Sequence, residues 1–307
     1  MRLHRWLVAL SFLASAAALG QDQDFSKVEV KVVPAAGAVS MLTGSGGNIG
    51  VSAGPDGVFV IDDQFAPLGP KIRAAIKTLS DKQIRVVINT HWHGDHTGGN
   101  AWLAETGAVI VAHENVRKRL STEQFNAAFN RKTPPASNPL TLPIITFADS
   151  VTLHVNGEDV EVRHVAPAHT DGDSIIHFKK SNVLHMGDNF FNGMYPFIDV
   201  DSGGSIDGAV AAADAGLSMA DGATKVIPGH GPMGSKADLQ KYREMLGGIR
   251  DRVKALVAQG KTLDQIVAAK PTAQWDAAWG GGFMKPDLFV GVVHRSLTGK
   301  LPPAPPK

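Results

Sequence analysis

Asn89-Thr90-His91-Trp92-His93-Gly94-Asp95-His96-Thr97-Gly98-Gly99-Asn100 follows directly on the apolar run Ile84-Arg85-Val86-Val87-Ile88. The run reads as a buried strand, and Gly98-Gly99 opens a helical pattern behind it. Three histidines and an aspartate therefore crowd the end of one strand. In extended chain, side chains two apart point the same way, so His91 and His93 are placed to grip one metal together. Gly94 is expected to take backbone angles closed to other residues and turn the chain, which leaves Asp95 and His96 facing a second position. Imidazoles with a carboxylate suit zinc and other borderline divalent ions without any thiolate. A lone histidine on a polar loop would be an ordinary surface residue; four ligand-type side chains at one strand end are not.

The His-x-His-x-Asp-His segment resembles the signature of the metallo-β-lactamase superfamily. That resemblance implies an αββα sandwich, with two mixed sheets face to face and helices outside. It also implies a dinuclear zinc site, which needs more ligands, and the chain offers them in the family's order. His169 in Val165-Ala166-Pro167-Ala168-His169-Thr170, Asp188 in Val183-Leu184-His185-Met186-Gly187-Asp188 and His230 in Val226-Ile227-Pro228-Gly229-His230-Gly231 each follow a β run. The match in order and type runs from about Gly44 to His230. By resemblance, His91, His93 and His169 hold one zinc, Asp95, His96 and His230 hold the other, and Asp188 bridges them. The best-known β-lactamase subclasses place cysteine or serine at the Asp188 position. A bridging aspartate is usual in glyoxalase II, lactonases and RNase Z.

The chain has 307 residues, is 43% apolar and contains no cysteine, so a large core forms without disulfides and no thiolate ligand exists. Arg2 and Arg5 precede an apolar run from Trp6 to Leu19, and Ala18-Leu19-Gly20 ends it with small residues. Residues 1–20 read as a secretory signal peptide cut near Gln21, too short to span a bilayer comfortably. The expectation is a periplasmic or secreted protein with no stable membrane span. Removing Arg2 and Arg5 leaves 28 basic against 29 acidic residues, a net charge of −1. A near-neutral chain with no basic run gives no electrostatic case for nucleic acid.

Residues 21–300 read as one hydrolase domain and 301–307 as a proline-rich tail. A strand is expected over Val28–Val32, then a glycine-punctuated meander over Val39–Thr43, Gly50–Ala53 and Gly57–Ile61. Asp62-Asp63-Gln64, at the end of that meander, are candidates to support the metal site from beneath. Leu68–Leu79 carries one apolar helical stripe. Ser121 to Pro143, with four prolines, reads as a lid or mobile loop in which Phe125 and Phe129 pack on the core or flank substrate. Asn156-Gly157 marks a hairpin turn between two strands. Helices are expected over Ile206–Leu217 and Asp238–Val257, with a short strand at Lys225–Pro228 between them.

The remaining histidines read as structural. His113 caps a helix, His154, His164, His177 and His185 lie within strand runs, and His294 lies in an amphipathic C-terminal stretch. His185 should face away from Asp188. Tyr195 and Asn192, shortly after Asp188, are candidate donors to a developing oxyanion. Asp95 is a candidate to orient the nucleophile or move a proton. Thr170, Asp171 and Asp173 are candidates to serve the second nitrogen of a ligating imidazole.

These expectations define an exported dinuclear-zinc hydrolase of a small-molecule substrate, in which metal-bound hydroxide attacks an activated carbonyl. β-Lactam ring opening leads, with lactone or thioester hydrolysis as the alternative. A mono-iron persulfide dioxygenase and a non-enzymatic metal-binding protein are further alternatives. Flavin-partnered di-iron oxidoreductases carry glutamate where His93 stands, together with a flavin domain, and neither is present.

Overall fold

In the computed structural model, which describes residues 24–128 and 130–299, two mixed sheets lie face to face between helical layers. The stretches expected to form a signal peptide and its cleavage point, together with Phe129 and the proline-rich tail, lie outside the described residues. The first sheet begins with β1 (Lys31–Ala36), β2 (Val39–Thr43), β3 (Ile49–Gly54) and β4 (Gly57–Ile61), paired antiparallel. After helix α1 (Gly69–Lys77), β5 (Ile84–Ile88) adds parallel to β4. Helices α2 (Gly94–Thr97) and α3 (Asn100–Glu105) lead to β6 (Val109–His113), and helix α4 (Glu114–Leu120) follows. A separate two-stranded hairpin, β7 (Gln124–Asn126) and β8 (Arg131–Thr133), precedes β9 (Ile145–Phe147), the far edge of the first sheet.

The second sheet runs β10 (Ser150–Val155), β11 (Glu158–His164), β12 (Ser174–Phe178), β13 (Val183–His185), β14 (Lys225–Ile227) and β15 (Gly234–Ser235). Helix α5 (Ile206–Met219) joins β13 to its parallel neighbour β14. Helices α6 (Lys236–Ala258), α7 (Leu263–Ala268), α8 (Asp276–Trp279) and α9 (Pro286–Thr298) complete the outer layer.

Strand alternation builds the layers. Met41, Ile61, Ile88 and Val111 of the first sheet meet Val162, Ile176, Phe178 and Ile227 of the second in a dry central core. Their neighbours Leu42, Val60 and Val87 turn the other way, onto Ile72 and Ile76 of α1 and Leu103 of α3. Leu184 and Val226 face outward onto α5, α6 and α9. This is the expected αββα sandwich.

Two local expectations are corrected. The first strand starts at Lys31 rather than Val28 and runs through Pro34, because β1 is an edge where a missing N–H costs no ladder bond; its register slips between Pro34 and Ala36. Gly94 has no left-handed backbone; it opens the short helix α2, and that helix makes the turn. Other local readings hold. Asn156 (φ 53°) and Gly157 (φ 73°) form the tight turn between β10 and β11. His113 caps α4, its Nδ1 accepting from the Asn115 backbone N–H. The Ser121–Pro143 stretch contains the β7–β8 hairpin, with Phe125 exposed.

Candidate metal centre

All seven expected ligands converge at one end of the sandwich, on loops that leave β5, β11, β13 and β14. Backbone bonds tie these loops to one another. The Ser174 N–H donates to Thr90 O (2.9 Å) and the Gly229 N–H to Gly187 O (2.7 Å). Asn48, from the first sheet, donates its amide to Pro228 O (3.0 Å) and Gly231 O (2.9 Å), clamping the loop that carries His230. Two glycines permit the close approach. A Cβ at Gly47 would fall 2.1 Å from His96 Cε1, and one at Gly229 would fall 2.0 Å from Asp188 Oδ1.

The donors form two groups. His91, His93, His169 and Asp188 make one; Asp95, His96 and His230 make the other, with ligand atoms in each group within 4.8 Å of one another. Asp188 lies between them. Its Oδ2 is 3.4 Å from both His169 Nε2 and His230 Nε2 and 3.8 Å from His91 Nε2, while Oδ1 is 3.1 Å from His96 Nε2. Asp95 Oδ2 sits 3.4 Å from His230 Nε2.

Hydrogen bonds on the far side of each ring fix which nitrogen faces inward. His169 Nδ1 donates to Phe197 O (2.7 Å) and His93 Nε2 to Asp199 Oδ2 (3.0 Å). His96 Nδ1 donates to Asp62 Oδ2 (2.7 Å). His91 Nδ1 donates to Thr90 Oγ1 (3.0 Å), whose own hydroxyl donates to Asp62 Oδ2 (2.7 Å). One carboxylate, Asp62, thereby holds His96 directly and His91 through a hydroxyl. It does so from a left-handed backbone (φ 60°), with Oδ1 accepting from the Thr90 N–H (2.8 Å).

That tautomer pattern tests whether metal belongs here. His169 Nε2 and His93 Nδ1 stand 2.8 Å apart, and both present lone pairs. Burial pulls His169 down to about 4, and Asp188 only partly offsets it. His91 Nε2 is buried with no hydrogen-bond partner. Two facing acceptors and an orphaned imidazole nitrogen are what a cation between them resolves, and the N/O donor set suits a borderline divalent ion. Burial pushes the Asp188 carboxyl up, but His96, His230, His169 and His91 outweigh it and hold Asp188 well below the usual carboxylate range.

Three expectations are corrected. Tyr195 is fully buried among the C-terminal helices and donates to Asp276 Oδ1 (2.8 Å), stacked on Phe289. The hydroxyl is spent on Asp276 rather than on the metal ligands, and burial with the Asp276 carboxylate raises the phenol far above normal. Asn192 spends its amide on Pro232 O (2.9 Å). Asp173 accepts the backbone N–H groups of His169 (2.7 Å) and Thr170 and the Thr170 hydroxyl, while Asp171 pairs with Arg119; none of the three touches a ligating ring.

The partners that do hold the rings are Asp62, Thr90, Asp199 and the Phe197 carbonyl. Only Asp62 carried a sequence signal, as an acid at a strand end. His185 is buried and turned away, donating Nε2 to Asn48 O (3.2 Å) while its Nδ1 accepts from the Gly187 N–H.

A cleft of about 310 Å³ opens over the ligands, walled by Phe65, Trp92, Phe191, Phe197 and Phe283. Arg131, from the hairpin, reaches its mouth and has no carboxylate partner among the described residues.

Comparison with known proteins agrees with this architecture. Residues 42–246 match the sequence profile of the Metallo-beta-lactamase superfamily, and the chain belongs to that family. It is similar to the 2,4-dinitroanisole O-demethylase subunit alpha of Nocardioides sp. (strain JS1661), 26% identical over 142 residues, covering 46% of this chain and 40% of that protein. It is also similar to the linear primary-alkylsulfatase of Pseudomonas sp. (strain ATCC 19151), 22% identical over 252 residues, covering 69% of this chain and 48% of that protein. The chain thus spans less than half the length of these two relatives. Among solved structures, the DIM-1 metallo-beta-lactamase superposes with a TM-score of 0.57 at 21% identity, over 72% of this chain and 99% of that one. No helix among the described residues is long and apolar enough to cross a membrane.

Proposed function

We propose that the protein is an exported hydrolase that binds two zinc ions and cleaves an activated acyl bond (ester, lactone or thioester) in a small-molecule substrate. The observation that carries this reading is the pair of facing imidazole lone pairs, His93 Nδ1 and His169 Nε2, with Asp188 between the two donor groups. His91, His93 and His169 would hold one ion and Asp95, His96 and His230 the other, with Asp188 shared. Metal there would supply an acidified water and a Lewis acid for the electrophilic oxygen.

The chain's own groups do the rest. Burial raises the Asp95 carboxyl, but His96 and His230 overcome it and keep Asp95 ionised through the working range. It is placed to accept a proton and return it to the leaving group. The aromatic walls exclude water and orient an apolar substrate body. Residues 1–20 direct export in this reading, and the mature enzyme works in the periplasm or outside the cell.

A second reading, β-lactam ring opening, is favoured by one observation: Arg131 stands at the mouth of the cleft where the carboxylate of a β-lactam would enter. Against it, the bridging Asp188 adds negative charge where that anion must approach.

The test is metal analysis of the purified mature protein, followed by turnover of an aryl ester, an acyl lactone, a glutathione thioester, a penicillin and a carbapenem. Two zinc ions per chain, with ester, lactone or thioester turnover that a chelator abolishes and zinc restores, is the expected result. Penicillin turnover far above the other substrates, sensitive to Arg131→Ala, would favour the second reading. Full metal loading without turnover of any substrate would leave a non-enzymatic metal protein.

A further inference from the structure

A second cavity, of about 220 Å³, lies beside the metal cleft, and Asn126, Phe197 and Asp199 line both. Beyond these shared walls its lining is mostly apolar, with Val200, Leu263, Met284, Leu288 and Val292, and carries the charged Asp201, Arg295 and Asp287. Asp201 and Arg295 are spent on each other, with Arg295 Nη1 donating to Asp201 Oδ2 (2.9 Å). Asp201 Oδ2 also accepts the Ala127 backbone N–H (2.8 Å), which fixes the hairpin as a roof. The third charge of the lining, Asp287, is solvent-exposed, so an occupant meets no unpaired charge away from the solvent-facing rim. Its volume lies below the roughly 300–1,000 Å³ of pockets for drug-sized ligands. Helix α9 contributes Gly291 to the wall, and a Cβ there would meet nothing within 4 Å. The helix leaves side-chain volume unfilled on the face turned to the cavity.

We propose that this cavity receives the unbranched aliphatic chain of the substrate whose acyl bond lies over the metal ligands. The inference rests on the acyl-hydrolase reading and deepens it, because it assigns the substrate class as medium-chain acyl compounds. Contiguity supports it: the two cavities meet at Asn126, Phe197 and Asp199, and the Asp199 carboxylate between them is spent on His93 and Asn126. The volume of about 220 Å³ accommodates a flexible aliphatic chain. Each methylene buried there strengthens binding by a roughly constant increment, so preference rises with chain length until the cavity is full.

The experiment uses full-length, zinc-loaded protein and the variant Gly291→Leu, which fills the cavity from a helix position where glycine is the poorer helix former. Wild-type protein should favour p-nitrophenyl octanoate over p-nitrophenyl acetate by about 100-fold in kcat/KM. Gly291→Leu should erase most of that preference through the octanoate value, with an unchanged or raised Tm. A second readout needs no turnover. Octanoate titrated into wild-type protein by calorimetry should bind, and the affinity should fall at least about 10-fold in Gly291→Leu.

If octanoate binds and the variant abolishes binding while neither ester is hydrolysed, the acyl-hydrolase reading fails and the chain site stands. Equal kcat/KM on both esters, or octanoate binding indifferent to Gly291→Leu, overturns the chain site. A change of oligomeric state in Gly291→Leu without loss of octanoate binding also overturns it, in favour of a second copy of the chain as the occupant.

Discussion

Asn substituted for Asp62 tests whether one carboxylate couples the two donor groups. The Asp62 carboxylate accepts three bonds: the Thr90 N–H (2.8 Å), the Thr90 hydroxyl (2.7 Å) and His96 Nδ1 (2.7 Å). An asparagine keeps the shape and tolerates the left-handed backbone, but one of its two positions becomes an NH₂ facing a donor. If the NH₂ replaces Oδ2, it opposes both His96 Nδ1–H and the Thr90 hydroxyl, and the hydroxyl can no longer fix His91. If it replaces Oδ1, it opposes the buried Thr90 N–H, at a cost of about 1–3 kcal/mol. Loss of one partner behind a metal ligand typically costs about 10–100-fold in affinity, or about 1.4–2.7 kcal/mol.

Because Asp62 stands behind His96 and, through Thr90, behind His91, Asp62→Asn should weaken both stepwise zinc affinities by that amount. Asp199→Asn removes the acceptor of His93 Nε2 alone and should weaken only one. Competition against a chromogenic chelator resolves the two constants, and a thermal melt of the metal-free proteins checks that each variant is folded. Wild-type affinities in folded Asp62→Asn, or equal losses at both sites in Asp199→Asn, would refute the relay.

Other outcomes follow from the same geometry. Tyr195→Phe should lower stability by about 1.5–3 kcal/mol, the worth of a hydrogen bond to a charged group, and leave kcat/KM unchanged in the turnover assay. Asp188→Ala should lower the occupancy of both metal positions, whereas His185→Ala should keep both and lower only Tm; equal metal loss in the two variants would place His185 in the site. Material exported from cells should begin near Gln21, read by mass spectrometry, and an intact Met1 on exported protein would refute cleavage.

The ligands were legible because each is an unusual residue type placed directly after a β run, and the chain order of such sites survives into space. Their supports, Asp62 apart, were not. The partner of His169 is a main-chain carbonyl, which has no sequence signature, and the partner of His93 lies 106 residues away in a loop. Tyr195 misled by proximity to Asp188 in sequence. The Tyr195 N–H donates to Trp279 O (2.9 Å), which turns the segment onto the C-terminal helices and away from the cleft. The alternation of Val28, Val30 and Val32 points to a strand that ends before Pro34, whereas β1 runs on to Ala36 because proline is tolerated at a sheet edge. The layers themselves followed from periodicity, since adjacent residues such as Val60 and Ile61 must face opposite cores.

Residues 197–201 join the metal ligands to the part of the protein that selects substrate. Phe197 gives its carbonyl to His169 and its ring to both cavities. Asp199 takes His93 on one oxygen and the hairpin's Asn126 on the other (3.1 Å). Asp201 takes the hairpin's Ala127 and Arg295 of α9. A shift of the hairpin or of α9 is therefore felt at two imidazoles through short, charge-assisted bonds rather than through loose packing. Substitutions that remodel the cavity from this segment alter ligand orientation as well as fit. Those made from the α9 side, at Gly291 or Val292, change the cavity without touching a ring partner, so specificity is adjustable from the helix and constrained from the loop.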